Sequence, residues 1–184
     1  MSRTKKRKRN KVTALEKKRV IRIVAAALAW IVTVTWGYFI YSMSAEDSVK
    51  SGKTSGKVVE SVASTVVPNY NKLPEKEKTA VKSKLSLPIR KMAHFAEFGV
   101  LGALIMTSVK LTFDEKFKLR YYLLMSIALG TIYAVTDELH QASVPGRAPR
   151  ATDVLIDSGG VLCGIIFVML IILIIERKKR RLIT

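Results

Sequence analysis

Residues 136–160 read TDELHQASVPGRAPRATDVLIDSGG and gather Asp137, Glu138, His140, Gln141, Arg147, Arg150, Asp153 and Asp157 into one short stretch. Upstream, Arg90, Lys91, His94 and Glu97 form a second set. His94 with Glu97, and Asp137 with His140, are two His–carboxylate pairs at i, i+3. Groups of this kind transfer protons, so His94, Glu97, Asp137, Glu138 and His140 are the candidate catalytic residues. Helical bundles that hold metals use related spacings, and His94, Glu97, Asp137 and His140 are the candidate ligands, although the residues favour a divalent metal least of the available readings. The competing reading is a neutralised network in which Arg90, Lys91, Arg147 and Arg150 pair with Glu97, Asp137, Glu138, Asp153 and Asp157. The cofactor question stays open. No nucleophile stands out: Ser143, Ser158 and the Ser42/Ser44 pair are isolated serines, and neither a GxSxG elbow nor a P-loop is present.

The surroundings of these residues make them unusual. The chain has 184 residues, 49% of them hydrophobic and 25% charged, with a net charge of +18. Those two properties are segregated along the sequence into long apolar runs and basic loops, the pattern of a polytopic membrane protein. A charge near the centre of a bilayer costs about 2.5–3.5 kcal/mol on the mildest insertion scale, so a cluster of them implies a site or a compensated network. The strong basicity lies in termini and loops beside apolar spans, which assigns it to membrane topology and argues against nucleic acid as a partner. A single cysteine, Cys163, excludes an internal disulfide and a zinc ribbon.

The spacing of apolar runs predicts an all-α fold, a bundle of four transmembrane helices over about 20–41, 87–109, 121–140 and 152–175 within a membrane domain 20–175. A basic arm, 1–19, precedes it and a basic tail, 176–184, follows. The first apolar run is too long for a signal-peptide core and reads as an uncleaved signal anchor. Trp30 and Trp36 within it are expected to pack against lipid or neighbouring helices. An outer loop, 42–86, is expected to form two short amphipathic helices on the membrane surface. The first is marked by Val58, Val59, Val62 and Val66, and the second starts at Pro74-Glu75 with Val81 and Leu85 as its stripe. In the fourth span Asp153, Asp157, Gly160 and Gly164 fall on one stripe, and Gly160-x-x-x-Gly164 predicts close approach of another helix on the face that carries both acids.

Basic residues set the expected orientation. With both termini and the 110–120 connector inside, 20 of the 32 Lys and Arg lie inside and 12 outside, most of the latter in a long loop where the bias is weak. Both termini are then cytoplasmic. Under that orientation Ser42, Ser44, Arg90, His94, Glu97, Asp137–Gln141, Asp153 and Asp157 all converge on the outer leaflet.

The segments RKMAHFAEFGVLGAL (90–104) and TDELHQASVPGRAPRATDVLIDSGGVLCG (136–164) resemble the two signature segments of the VanZ-like family, and the resemblance covers roughly the last hundred residues and the four-span layout. Members often carry serines just after the first span, and Ser42 and Ser44 resemble these. Asp157 stands where many members have Asn, adding a negative charge. The resemblance implies a multi-pass protein of the bacterial cytoplasmic membrane, in a family whose founding member is linked to low-level resistance to the glycopeptide teicoplanin. The function it implies here is binding or modifying an envelope amphiphile at an outward-facing polar site, with Ser42, Ser44, Arg90, Lys91, Gln141, Arg147, Asp153 and Asp157 as binding residues. Membrane lipids are the expected partners, with anionic lipids or cell-wall precursors as further candidates. Two other functions remain open: a metal-dependent membrane hydrolase or transferase acting on a lipid headgroup, and a non-enzymatic membrane scaffold. The sequence sets neither the oligomeric state nor whether the chain is an enzyme.

Overall fold

Long apolar runs with few interior breakers fold as helices, because in lipid every backbone amide must find its partner within the segment. The computed structural model describes residues 3–44, 48–113, 117–144 and 150–182. Its helices are α1 (Arg3–Ser44), α2 (Ser48–Val66), α3 (Glu75–Phe113), α4 (Leu119–Gln141) and α5 (Ala151–Arg181), with one 3-10 turn at Tyr70–Lys72 between α2 and α3. Four stretches are long and apolar enough to cross a membrane: Leu15–Ser44, Glu75–Phe113, Leu119–Gln141 and Ala151–Arg181. The all-α polytopic fold read from the sequence is the fold observed.

Helix α3 is the hub. It packs against α5 most extensively, then against α1, α4 and α2. Phe98, Leu101, Ile105, Met106 and Val109 project from it into a core completed by Ile40, Tyr122, Ala134, Val161 and Ile165. Beyond this core the spans expose Ile31, Val34, Leu124, Ile132, Phe167 and Ile174, as a lipid-facing surface requires.

Small residues let α3 and α5 come together. A Cβ placed on Gly164 would fall onto the Gly99 carbonyl oxygen, and one on Gly160 onto the Phe95 carbonyl. Across the same seam a Cβ on Gly102 would meet the Val161 backbone. Gly160 and Gly164 are buried while Cys163 is exposed, so the glycine stripe faces α3 as its spacing predicts.

Polar side chains join α1 to the rest. Thr33 and Ser108 share a buried hydrogen bond of 2.9 Å, Trp30 Nε1 donates to Thr112 Oγ1 at 3.0 Å, and Trp36 Nε1 donates to the Glu97 carbonyl at 3.0 Å. Tyr133 on α4 donates to the Gly37 carbonyl at 2.6 Å. Both tryptophans therefore serve helix packing.

The region between the first two spans differs from expectation in two respects. A separate second amphipathic helix does not form: Glu75–Leu85 continues without interruption into the second span, giving a helix of 39 residues that passes through Pro88. Pro88 removes one backbone donor, but it lies where the polar half meets the apolar half and is itself exposed, so the freed carbonyl is not forced into the core. The first amphipathic helix does form, as α2. It buries Val59 and Ala63 and leaves Val58 and Val66 exposed, so its inward stripe is rotated from the one the valines suggest. Lys82 and Glu60, 3.1 Å apart, tie α2 to the polar half of α3.

Candidate functional site

One end of the bundle collects the C-terminal residue of α1, the last turns of α4, the first turns of α5 and the middle of α3. Each of these contributes a polar side chain that points inward. Successive residues of a helix turn by about 100°, so Lys91, His94, Phe98, Leu101 and Ile105 share the face of α3 that meets the bundle. Arg90 and Glu97 lie toward its flank: Arg90 is exposed and Glu97 is half-buried.

Asp137 on α4 is the most heavily bonded acid. Its exposure is 3%, and its Oδ2 accepts from Ser44 at 3.0 Å and from Gln141 Nε2 at 2.8 Å. Gln141 also lies 3.4 Å from Ser44 Oγ, so three helix-terminal residues close a small triangle. On α5, Asp157 is 2% exposed. A ring nitrogen of His94 and carboxylate oxygens of Asp137 and Asp157 all lie within 4.8 Å of one another.

Further acids surround this trio. Glu97, Glu138 and Asp153 lie close enough to Asp157 to act on it electrostatically, as Asp137 does within the trio. Glu138 is 6% exposed and accepts the backbone N–H of Arg150 through Oε1 at 2.5 Å. Among the described residues its Oε2 and Asp137 Oδ1 are buried without hydrogen-bond partners. Lys91 Nζ sits 2.8 Å from Asp153 Oδ1 at the rim, where both side chains are about one-third exposed.

The remaining candidates fall elsewhere. Ser42 is exposed and bonds back to the Tyr38 carbonyl of its own helix, so of the two serines only Ser44 reaches the cluster. His140 stacks on Tyr41, with ring centroids 4.1 Å apart, and lies outside the trio. Arg150 is exposed and contributes its backbone. Arg147 lies outside the described residues.

Among those residues, the expected charge-pairing network is therefore reduced to one ion pair, Lys91 with Asp153. The rest is an acceptor-rich cluster with the neutral donors Ser44 and Gln141 on one side. Such a cluster can accept from hydroxyl or ammonium donors, hold a cation, or take a proton from a bound group. Sequence reasoning missed Tyr41 as the platform under His140, and it missed Gly99, Gly102 and Ala103 as the α3 half of the close seam. Their spacing, three and four residues apart, was a signal of the same type as Gly160-x-x-x-Gly164.

Fold and site together define a polytopic α-helical membrane protein with four spans and a buried polar cluster at one end of the bundle. The chain belongs to the VanZ/LLP1 family, whose sequence profile matches residues 29–173. That range holds the second and third spans, the second half of the first, most of the fourth and every residue of the cluster. No curated protein and no solved structure matches the chain.

Proposed function

We propose that this protein binds or modifies an envelope amphiphile at the cluster formed by Ser44, His94, Asp137, Glu138, Gln141 and Asp157, and that it thereby alters susceptibility to glycopeptides such as teicoplanin. The observation that carries this reading is Asp137. A carboxylate 3% exposed within a lipid-facing bundle, held through one oxygen by two neutral donors from different helices, has no packing advantage over an apolar side chain. Polar groups retained at such depth mark ligand or ion pathways.

The reading places this end of the bundle at the outer leaflet of a bacterial cytoplasmic membrane, with both termini cytoplasmic. The excess of Lys and Arg in the arm, the 110–120 connector and the tail supports that orientation. Amphiphiles of the outer leaflet, including lipids and lipid-linked cell-wall precursors, then reach the cluster laterally from the bilayer.

The test is a pair of measurements on the parent and on Asp137→Asn in a bacterial host that lacks the gene. Teicoplanin susceptibility reads the envelope effect, and mass spectrometry of lipids retained by the purified protein reads the ligand. A reduced phenotype and an altered lipid complement in Asp137→Asn, at equal protein level, are the expected results. Equal phenotype and equal lipid complement in parent and variant would remove the reading.

A further inference from the structure

The trio of His94, Asp137 and Asp157 comes from three different helices, α3, α4 and α5, and its three ligand atoms lie within 4.8 Å of one another. Asp137 and Asp157 are 3% and 2% exposed. Among the described residues no Lys or Arg pairs with either: Lys91, three residues before His94 on α3, is engaged with Asp153. Asp137 Oδ1 is buried with no hydrogen-bond partner there, whereas Oδ2 is fixed by Ser44 and Gln141. Two buried acids with no Lys or Arg paired to them among the described residues, one with a spare oxygen, are what a dication neutralises.

We propose that His94, Asp137 and Asp157 form a divalent metal site, taking a first-row transition ion of the zinc or manganese class. The donor set decides the class. Calcium takes six to eight oxygens and magnesium prefers oxygen ligands with several retained waters, whereas an imidazole nitrogen with two carboxylates suits a borderline ion. Two ligands on one tetrahedral ion stand roughly 3.4 Å apart at metal–ligand distances near 2.1 Å, so closure needs each side chain to move by about 1 Å or less. The bonds from Ser44 and Gln141 supply the outer-sphere orientation that ligating carboxylates ordinarily have. Three protein ligands leave coordination open for a water or for a headgroup oxygen. This set differs from the four ligands suggested by sequence spacing: Asp157 replaces Glu97 and His140. The proposal rests on the reading that this end of the bundle is the functional end.

The experiment uses the full chain in detergent micelles, stripped with EDTA and then equilibrated with Zn2+ or Mn2+ alone. Elemental analysis counts the bound ion, and thermal unfolding with and without metal reads the linked stabilisation. The parent is expected to hold about one ion per chain and to unfold at higher temperature with metal, since an ion bound only by the folded state stabilises it. Asp157→Asn is expected to bind more than about 10-fold more weakly and to lose the metal-dependent shift. It keeps side-chain size, so its metal-free unfolding transition verifies the fold; His94→Gln is the second ligand variant. His140→Gln and Glu97→Gln should bind as the parent does. Failure of the parent to bind either ion, parental binding by Asp157→Asn, or loss of the ion in His140→Gln would each overturn the site. Teicoplanin susceptibility of the same variants separates the two readings. If the ion is absent but Asp137→Asn still loses the phenotype, the envelope function stands without metal. If the ion binds as expected but no variant changes the phenotype, the metal site stands and the envelope function falls.

Discussion

Ser44, the last residue of α1, donates its hydroxyl to Asp137 near the end of α4 at 3.0 Å, across 93 residues of sequence. This bond fastens the first span to the polar end of the third, beside the stack of Tyr41 on His140. Ser44 is 1% exposed, so water cannot replace the lost donor. Ser44→Ala leaves Asp137 with Gln141 as its donor among the described residues and should lower stability by about 1–3 kcal/mol. Ser42→Ala, at an exposed position, should change unfolding by less than about 0.5 kcal/mol. Thermal unfolding of the purified protein in micelles compares the two, and equal effects would show that Ser44 is not part of the cluster.

The α3–α5 seam gives a second expectation. Gly164 has no room for a side chain beside the Gly99 carbonyl and the Ala103 amide, and both obstacles are backbone. Gly164→Ala should therefore already separate the helices, and Gly164→Leu should lower the level of folded protein severely. Cys163→Ala, exposed one residue away, should be mild. Folded protein measured by size-exclusion chromatography after extraction orders the three variants, and equal tolerance would mean that the stripe faces lipid.

These contacts also show what the sequence made legible. Hydropathy located all four spans because lipid leaves no alternative for an apolar run. The glycine stripe of α5 was legible because Asp153 and Asp157 share its face and cannot face lipid. The fusion of Glu75–Leu85 with the second span was hidden by Pro88, which usually marks an end but is tolerated at this polar-to-apolar junction. Within the cluster, i, i+3 spacing joined His94 to Glu97 and Asp137 to His140, yet three residues along a helix leave a gap of about 60° between side chains. His94 faces α5 and Glu97 sits on the flank beside Trp36 of α1, so the productive grouping runs between helices, where spacing along one helix carries no information.

Orientation has a direct test. Tags at either terminus should be inaccessible from outside intact cells, and a tag near residue 52 should be accessible. Protease protection of tagged protein in whole cells reads this. External access to the C-terminus would place the cluster at the inner leaflet and remove outer-leaflet amphiphiles as its ligands.

The Lys91–Asp153 pair lies at the rim, with both side chains about one-third exposed, so its electrostatic contribution is discounted by solvent or headgroup screening. Lys91→Gln should cost no more than about 1 kcal/mol. A larger loss in thermal unfolding would mean that Lys91 neutralises the inner acids as well.

Charge-removing replacements separate a site from a structural network. If buried ion pairs held this end together, removing one partner would strand the other and cost about 3–5 kcal/mol. Among the described residues, however, no Lys or Arg pairs with Asp137, Glu138 or Asp157; the partner of Glu138 is the backbone N–H of Arg150. Glu138→Gln keeps an acceptor oxygen for that N–H, and Asp157→Asn replaces an acid that lies among other acids with a neutral amide of the same size. Both should therefore unfold within about 1 kcal/mol of the parent in metal-free buffer, or slightly later, while the envelope phenotype is lost. His94→Gln keeps size and polarity and should behave in the same way. Loss of stability and phenotype in proportion across all three would return the cluster to a network that fixes helix register. Loss of phenotype in folded protein would assign it to the chemistry of the site.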